Sequence, residues 1–261
     1  MSMLKGKTAL VTGSTSGVGL GIAKALAQEG ANIVLNGLGD VEFSRGQVLQ
    51  AGAALGGQLS YHGANMACAD EIQDMVRFAV QAFGQIDILV NSAGIQHVSC
   101  VEDFPPQRWN EIIAVNLSSA FHTTRLVLPM MQAVDQGKGW GRIINVASVH
   151  GLVAAAQTSA YVAATHGLIG LTKVTALENG TTGITCNAIC PGRVLTSLPR
   201  RQAEVVVTEL GVGREEAISQ EPSMQFTTPE ELGALAVFLC SPAAGNVRGA
   251  AWNMDGGWLA Q

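Results

Sequence analysis

Short apolar runs rich in β-branched residues recur along the chain, separated by stretches whose apolar positions repeat at helical spacing. KTALVT (7–12), NIVLN (32–36), DILVN (87–91), GRIINVAS (141–148) and GITCNAIC (183–190) have the length and composition of buried strands, with AAWNMD (250–255) a last one. QLSYHGA (58–64) is a weaker candidate. Helical periodicity runs through 18–29, 69–83, 107–134 and 159–178. Strands buried on both faces and alternating with helices predict an α/β fold. The expected architecture is one doubly wound, Rossmann-type domain over 1–261, with a parallel sheet of about seven strands and helices on both faces. No linker, repeat or low-complexity tract divides it. Residues 195–226 break the alternation late in the chain, where a mobile substrate flap is expected.

Composition narrows the picture. A length of 261 residues with 48% apolar content suits a large α/β core, and 13% charged residues is low. So few charges point to surface hidden by self-association. A net charge of −5 excludes an electrostatic footprint for nucleic acid. No run of 18 apolar residues predicts a membrane span, and MSMLKGKTAL does not read as a signal peptide, so a cytoplasmic location is expected. Five cysteines, at 68, 100, 186, 190 and 240, form no CxxC pair and read as buried free thiols in a reducing compartment. No His/Cys/Asp cluster has metal-ligand spacing, and no metal is expected.

TGSTSGVG (12–19) follows the first strand and opens the first helix. Gly13 permits the tight turn, while Gly17 and Gly19 let backbone approach a pyrophosphate at the helix start. Thr15, Ser16 and Val18 complete the turn. Its spacing is G-x-x-x-G-x-G rather than the commoner G-x-G-x-x-G, and a purely structural glycine turn is the competing reading. The position after the first strand favours the dinucleotide.

Three further stretches stand beside that turn: NSAG (91–94), Ser148 followed 13 residues later by Tyr161, and PGRVLT (191–196). Together they make the chain resemble the short-chain dehydrogenases/reductases over nearly its whole length. Local runs GIQHVSCVEDFP (94–105), NVASVHGLVA (145–154), LTKVTALE (171–178) and EPSMQFTTPEELG (221–233) are similar to the bacterial D-3-hydroxybutyrate dehydrogenase family. The resemblance implies hydride transfer between NAD and the carbinol carbon of a small hydroxy or keto acid, in a homotetramer. It implies that Tyr161 is the general acid/base, that Ser148 orients the substrate oxygen and that Asn116 holds a relay water. Beyond the glycine turn it implies cofactor contacts at Asn36, Asn65, Met66, Asn91, Ala93, Gly94, Tyr161, Pro191, Gly192, Val194 and Thr196. Substrate contacts are implied at Gln96, Ser148, His150 and Gln202. Asp255, near the expected subunit contact, reads as structural.

The departures from that pattern matter as much. In SAYVAATHGLIG (159–170) the family's lysine position holds Thr165, four residues after Tyr161 and on the same helix face. A phenol ordinarily titrates near 10, and a neighbouring cation lowers that by about 1–3 units. Threonine has neither the charge nor the reach. His166 is turned about 100° round the helix and Lys173 lies roughly 12 Å along its axis. Thr158 and Arg193 occupy positions where that family has lysine and tryptophan, Ser92 stands for asparagine, and Asn65 for aspartate. Arg193 is expected to take over carboxylate recognition, because its guanidinium fork suits that group; a solvated loop arginine is the competing reading. Neutral residues in the glycine turn and no cation after Asn36 favour NAD over its phosphate. Three readings stay open: a short-chain oxidoreductase impaired by Thr165, a silent relative acting by nucleotide or partner binding, and an enzyme for another hydroxy or keto substrate.

Overall fold

A computed structural model describes residues 2–195, 218–219 and 221–261. Its strands are β1 (Thr8–Val11), β2 (Asn32–Asn36), β3 (Leu59–His62), β4 (Ile88–Asn91), β5 (Gly141–Val146), β6 (Ile184–Pro191) and β7 (Ala251–Met254). They form one seven-stranded sheet in the order β3-β2-β1-β4-β5-β6-β7, parallel throughout. β1 lies between β2 and β4, so the connections run outward in both directions from there. A crevice opens at such a switch point, beyond the carboxyl ends of the strands.

The helices are α1 (Gly17–Gln28), α2 (Val41–Gly52), α3 (Ala69–Phe83), α4 (Pro106–Ile113), α5 (Ser119–Gln132), α6 (Ser159–Glu178) and α7 (Pro229–Cys240). Every residue of β1 and β4 is buried, which is why their sequences are continuous apolar runs rather than alternating ones. One core cluster joins Val11 and Val90 to Ile22, Leu26 and Leu232 of α1 and α7. The other joins Leu10 and Leu89 to Ile72, Met75 and Val127 of α3 and α5. α1 and α7 meet closely because a Cβ at Gly233 would sit 2.8 Å from the Ala25 side chain.

The 107–134 segment is helical, with a π-helical turn over Ala114–Ser118 between α4 and α5. α2 and α7 were not among the expected helices. α2 buries only Ser44, Val48 and Gly52, too narrow a stripe to show as strong periodicity. α7 carries a local signal instead. The Glu231 amide donates to the Thr228 hydroxyl at 3.2 Å and the Thr228 amide donates to the Glu231 carboxylate at 2.7 Å, a capping box written in TTPEEL. The cysteine expectation holds in part. Cys186, Cys190 and Cys240 are buried and burial raises their thiols to about 12, 11 and 12, but Cys68 and Cys100 are partly exposed. Most of the expected flap lies outside the described residues.

A chain of side-chain hydrogen bonds crosses the middle of the sheet. Thr123 of α5 donates to Asn91 Oδ1 (2.7 Å), Asn91 Nδ2 to Asn145 Oδ1 (2.8 Å), and Asn145 Nδ2 to Thr172 Oγ1 of α6 (2.8 Å). All four residues are buried. Truncating a middle member leaves its neighbours unsatisfied away from water, at about 1–3 kcal/mol for each stranded group. Asn145→Ala is therefore expected to lower unfolding stability by roughly 2–4 kcal/mol, read as a drop in urea midpoint at unchanged slope.

Candidate active site

A cleft of about 280 Å³ opens at the carboxyl ends of the strands. Val18 of α1 lies on one side, Ala93, Gly94 and Gln96 follow β4, and Ser148 follows β5. Tyr161 and Thr165 of α6, Asn116, and Pro191, Gly192 and Val194 close it. Among the described residues, no side chain lining it is formally charged.

The glycine turn is packed against the segment after β4. Gly13 has φ +63°, and a Cβ there would meet the Ala93 backbone at 2.8 Å. A Cβ at Gly19 would strike the Gly13 carbonyl. Thr12 Oγ1 accepts from the amides of Ser92 (3.0 Å) and Ala93 (3.1 Å), which fixes that approach. Ser16 begins α1 with extended backbone and no side-chain cap, so the amides of the first helical turn remain available to an anion. A cradle that only glycine fits, at an uncapped helix start beside the switch point, suits a dinucleotide pyrophosphate.

Other expected cofactor positions are committed elsewhere. The buried Asn36 side chain donates to the carbonyls of His62 (3.1 Å) and Ala64 (2.9 Å) and accepts from Gly13 N (3.4 Å). Asn91 belongs to the chain crossing the sheet. Both side chains build the site's frame rather than line the cleft. Thr15 is buried, its hydroxyl accepting from Gly39 N (3.0 Å), and Met66 is buried too. Asn65 is exposed, with Oδ1 accepting from Ala67 N (3.0 Å).

Ser148 Oγ accepts from His150 N at 3.2 Å, which leaves its own hydrogen for a substrate oxygen. Tyr161 stands in the first turns of α6, facing the same cleft. Asn116 lies in the π-helical turn, a local widening common at functional sites. Its amide both accepts from Ile95 N and donates to Ile95 O, each at 2.9 Å. The Thr165 hydroxyl has one hydrogen and two carbonyls at 2.9 Å, those of His150 and Tyr161. It is buried and neutral, serving to tie α6 to the segment after β5. His166 is exposed on the Val162 carbonyl and Lys173 is exposed further along, so neither brings a cation to Thr165.

Thr158 does not line the cleft; its buried hydroxyl donates to Ala155 O (2.9 Å) at the start of α6. His150 lies beside the cleft with its ring edge-on to Trp258, 5.6 Å between centroids. Burial first, and then the charge of Arg193, push His150 below the usual histidine range, partly opposed by the Val153 backbone. The folded chain therefore resists protonating His150. The stability this confers is lost as pH falls below the ordinary histidine value of about 6.5.

Arg193 sits between the lining residues Gly192 and Val194, and its guanidinium pairs with Glu221 at 2.8 Å. It is therefore no simple solvated loop arginine. Glu221 is 3% exposed and was not anticipated; only its return to Arg193 through the fold reveals it. Thr12, likewise unanticipated, begins the TGSTSGVG run and could have been read there. Thr196 and Gln202 lie outside the described residues.

A doubly wound parallel sheet with a glycine cradle at its switch point, and a phenol and a hydroxyl in the adjoining cleft, defines a nucleotide-dependent oxidoreductase. The chain belongs to the short chain dehydrogenase family, whose pattern matches residues 7–205. It is 62% identical to a D-beta-hydroxybutyrate dehydrogenase of Cupriavidus necator, over 99% of this chain and 100% of that one. It is 48% identical to the Rhizobium meliloti enzyme of that name, over 98% and 99%. A putative 2-deoxy-d-gluconate 3-dehydrogenase from Agrobacterium tumefaciens with bound NADP superposes with a TM-score of 0.86 at 33% identity, covering 99% of this chain and 98% of that one. Among the described residues no helix is long and apolar enough to cross a membrane, and no cluster could hold a metal ion.

Removing one partner of a buried ion pair strands the other charge, at about 3–5 kcal/mol. Arg193→Ala is expected to lose stability near the lower figure, since Arg193 is partly exposed. The deficit should narrow as pH falls, because the stranded Glu221 carboxyl then takes a proton; urea unfolding at pH 7 and pH 5 measures both.

Proposed function

We propose that this chain is an NAD-dependent dehydrogenase of D-3-hydroxybutyrate or a close hydroxy acid, slowed by Thr165 at the lysine position. The observation that carries the reading is that Ser148 and Tyr161, from two different elements, line one cleft beside the glycine cradle. When bound there, the dinucleotide supplies the hydride acceptor. The absence of a cation after β2, where Gly37, Leu38 and Gly39 follow Asn36, favours NAD over its phosphate.

The protein's own part is to hold the alcohol and move its proton. Ser148 donates to the substrate oxygen and fixes its position. Tyr161 takes the hydroxyl proton on oxidation and returns one on reduction. Asn116 has its side chain committed to Ile95, so a relay water near it is held by main chain. Gln96 and His150 border the acid-binding side, with Arg193 the cation assigned to the carboxylate. With Thr165 neutral, nothing at that position favours the phenolate. A general base that must be reached at an unfavourable pH loses much of its benefit.

We infer a homotetramer in the cytoplasm. The low charge supports association, as do the exposed Leu177 and Val174 on α6 and Phe121 on α5. The flap over 195–226 belongs to the same proposal.

Thr165 faces the cleft, so a longer side chain has room to extend into it. Thr165→Lys is expected to raise kcat for D-3-hydroxybutyrate by about 10²-fold and to move the pH–rate profile to lower pH. NAD reduction followed from pH 6 to 10, for both proteins, tests this. No turnover in either chain, with NAD still bound by calorimetry, would exclude this substrate and favour another hydroxy compound.

A further inference from the structure

Arg193 lies between the lining residues Gly192 and Val194, and it does not stand alone. Its Nη1 donates to Glu221 Oε1 at 2.8 Å, and Glu221 is almost wholly buried. Backbone bonds fix the two strands of chain that carry this pair. Thr227 N donates to Arg193 O (3.0 Å), Leu195 N donates to Thr227 O (2.8 Å), and Thr227 Oγ1 donates to Met254 O (3.0 Å). The guanidinium is thus held beside the cleft by an internal carboxylate of the same kind as the acid it is expected to receive.

We propose that Glu221 is a positioning residue that sets the substrate charge this site accepts, by occupying part of the Arg193 fork. This rests on Arg193 being the acid-binding cation of the proposed function. An incoming carboxylate must share one guanidinium with Glu221, and two carboxylates close together repel. The native chain therefore gains little from a substrate's negative charge and discriminates weakly between a hydroxy acid and its neutral ester. His150 reinforces this, since it is held neutral and offers the acid no charge of its own. Among the described residues, Asp255, which follows β7, packs against Gly192 next to Arg193; its carboxylate accepts from the amides of Gly257 (3.0 Å) and Leu259 (3.1 Å).

Glu221→Gln keeps the side chain's size and an oxygen to accept from Arg193, and removes only the charge. Steady-state oxidation of D-3-hydroxybutyrate and of its methyl ester is measured in native, Glu221→Gln, Arg193→Ala and doubly substituted chains. Calorimetric binding of the acid is measured beside it. A charge-assisted hydrogen bond released to the substrate is worth about tenfold or more in affinity. KM and Kd for the acid are expected to fall by roughly tenfold in Glu221→Gln, while kcat and the ester's KM stay unchanged. The gain is expected to vanish when Arg193→Ala is added. Equal changes for acid and ester, no change for the acid, or a gain that survives Arg193→Ala would each overturn the proposal. Tighter acid binding in Glu221→Gln without turnover of either compound would instead uphold it and count against hydroxybutyrate as the substrate.

Discussion

The site depends on how α6 is fastened to the sheet. Tyr161 rides on that helix and Ser148 follows β5, so they share a cleft only while helix and strand keep their relative position. Two contacts hold it. Asn145 of β5 donates to Thr172 in the middle of α6, and Thr165 donates to the segment after β5, at the end of the helix that carries Tyr161. The first sits within a buried chain that reaches back through Asn91 to α5. A half-satisfied polar chain in such a place is costly, so the two elements move together or not at all.

This makes Thr165 more than a missing lysine. Its hydroxyl works as a structural clip, turned onto carbonyls that a lysine's longer chain would bypass. It anchors the helix and brings no charge to the cleft. Among the described residues beside the cleft, Arg193 pairs with Glu221, and burial and Arg193 together disfavour the charged form of His150. A cleft whose described lining carries no charge relies on hydrogen bonds and placement more than on electrostatic attraction.

Much of the frame was legible beforehand. Continuous apolar runs marked β1, β2 and β4 because both faces of those strands are covered. The glycine turn announced the cradle because only residues without a Cβ fit against Ala93 and within the turn itself. Ser148, Tyr161 and Gln96 line the cleft as expected. Asn36 and Asn91 sit at the level of the sheet expected for them, and their side chains carry a structural load that the sequence did not reveal. Their side chains turn into the protein, where Asn36 donates to the carbonyls of His62 and Ala64, and Asn91 donates to the Asn145 side chain and accepts from Thr123.

Local pattern, then, determined the strands, most of the helices, that the sheet is parallel and where the glycine turn falls, while the resemblance to the short-chain dehydrogenases marked Thr165 as a lysine position. The elements and the turn follow from periodicity and from backbone sterics, which act over a few positions. Only the folded chain decided that Glu221 meets Arg193, that Thr12 binds the turn after β4, and that Thr158 turns away from the cleft. Those contacts join residues up to about 80 positions apart, with amides and carboxylates paired by burial. Nothing in a short stretch of sequence records which distant group will answer a polar atom once water has been removed from both.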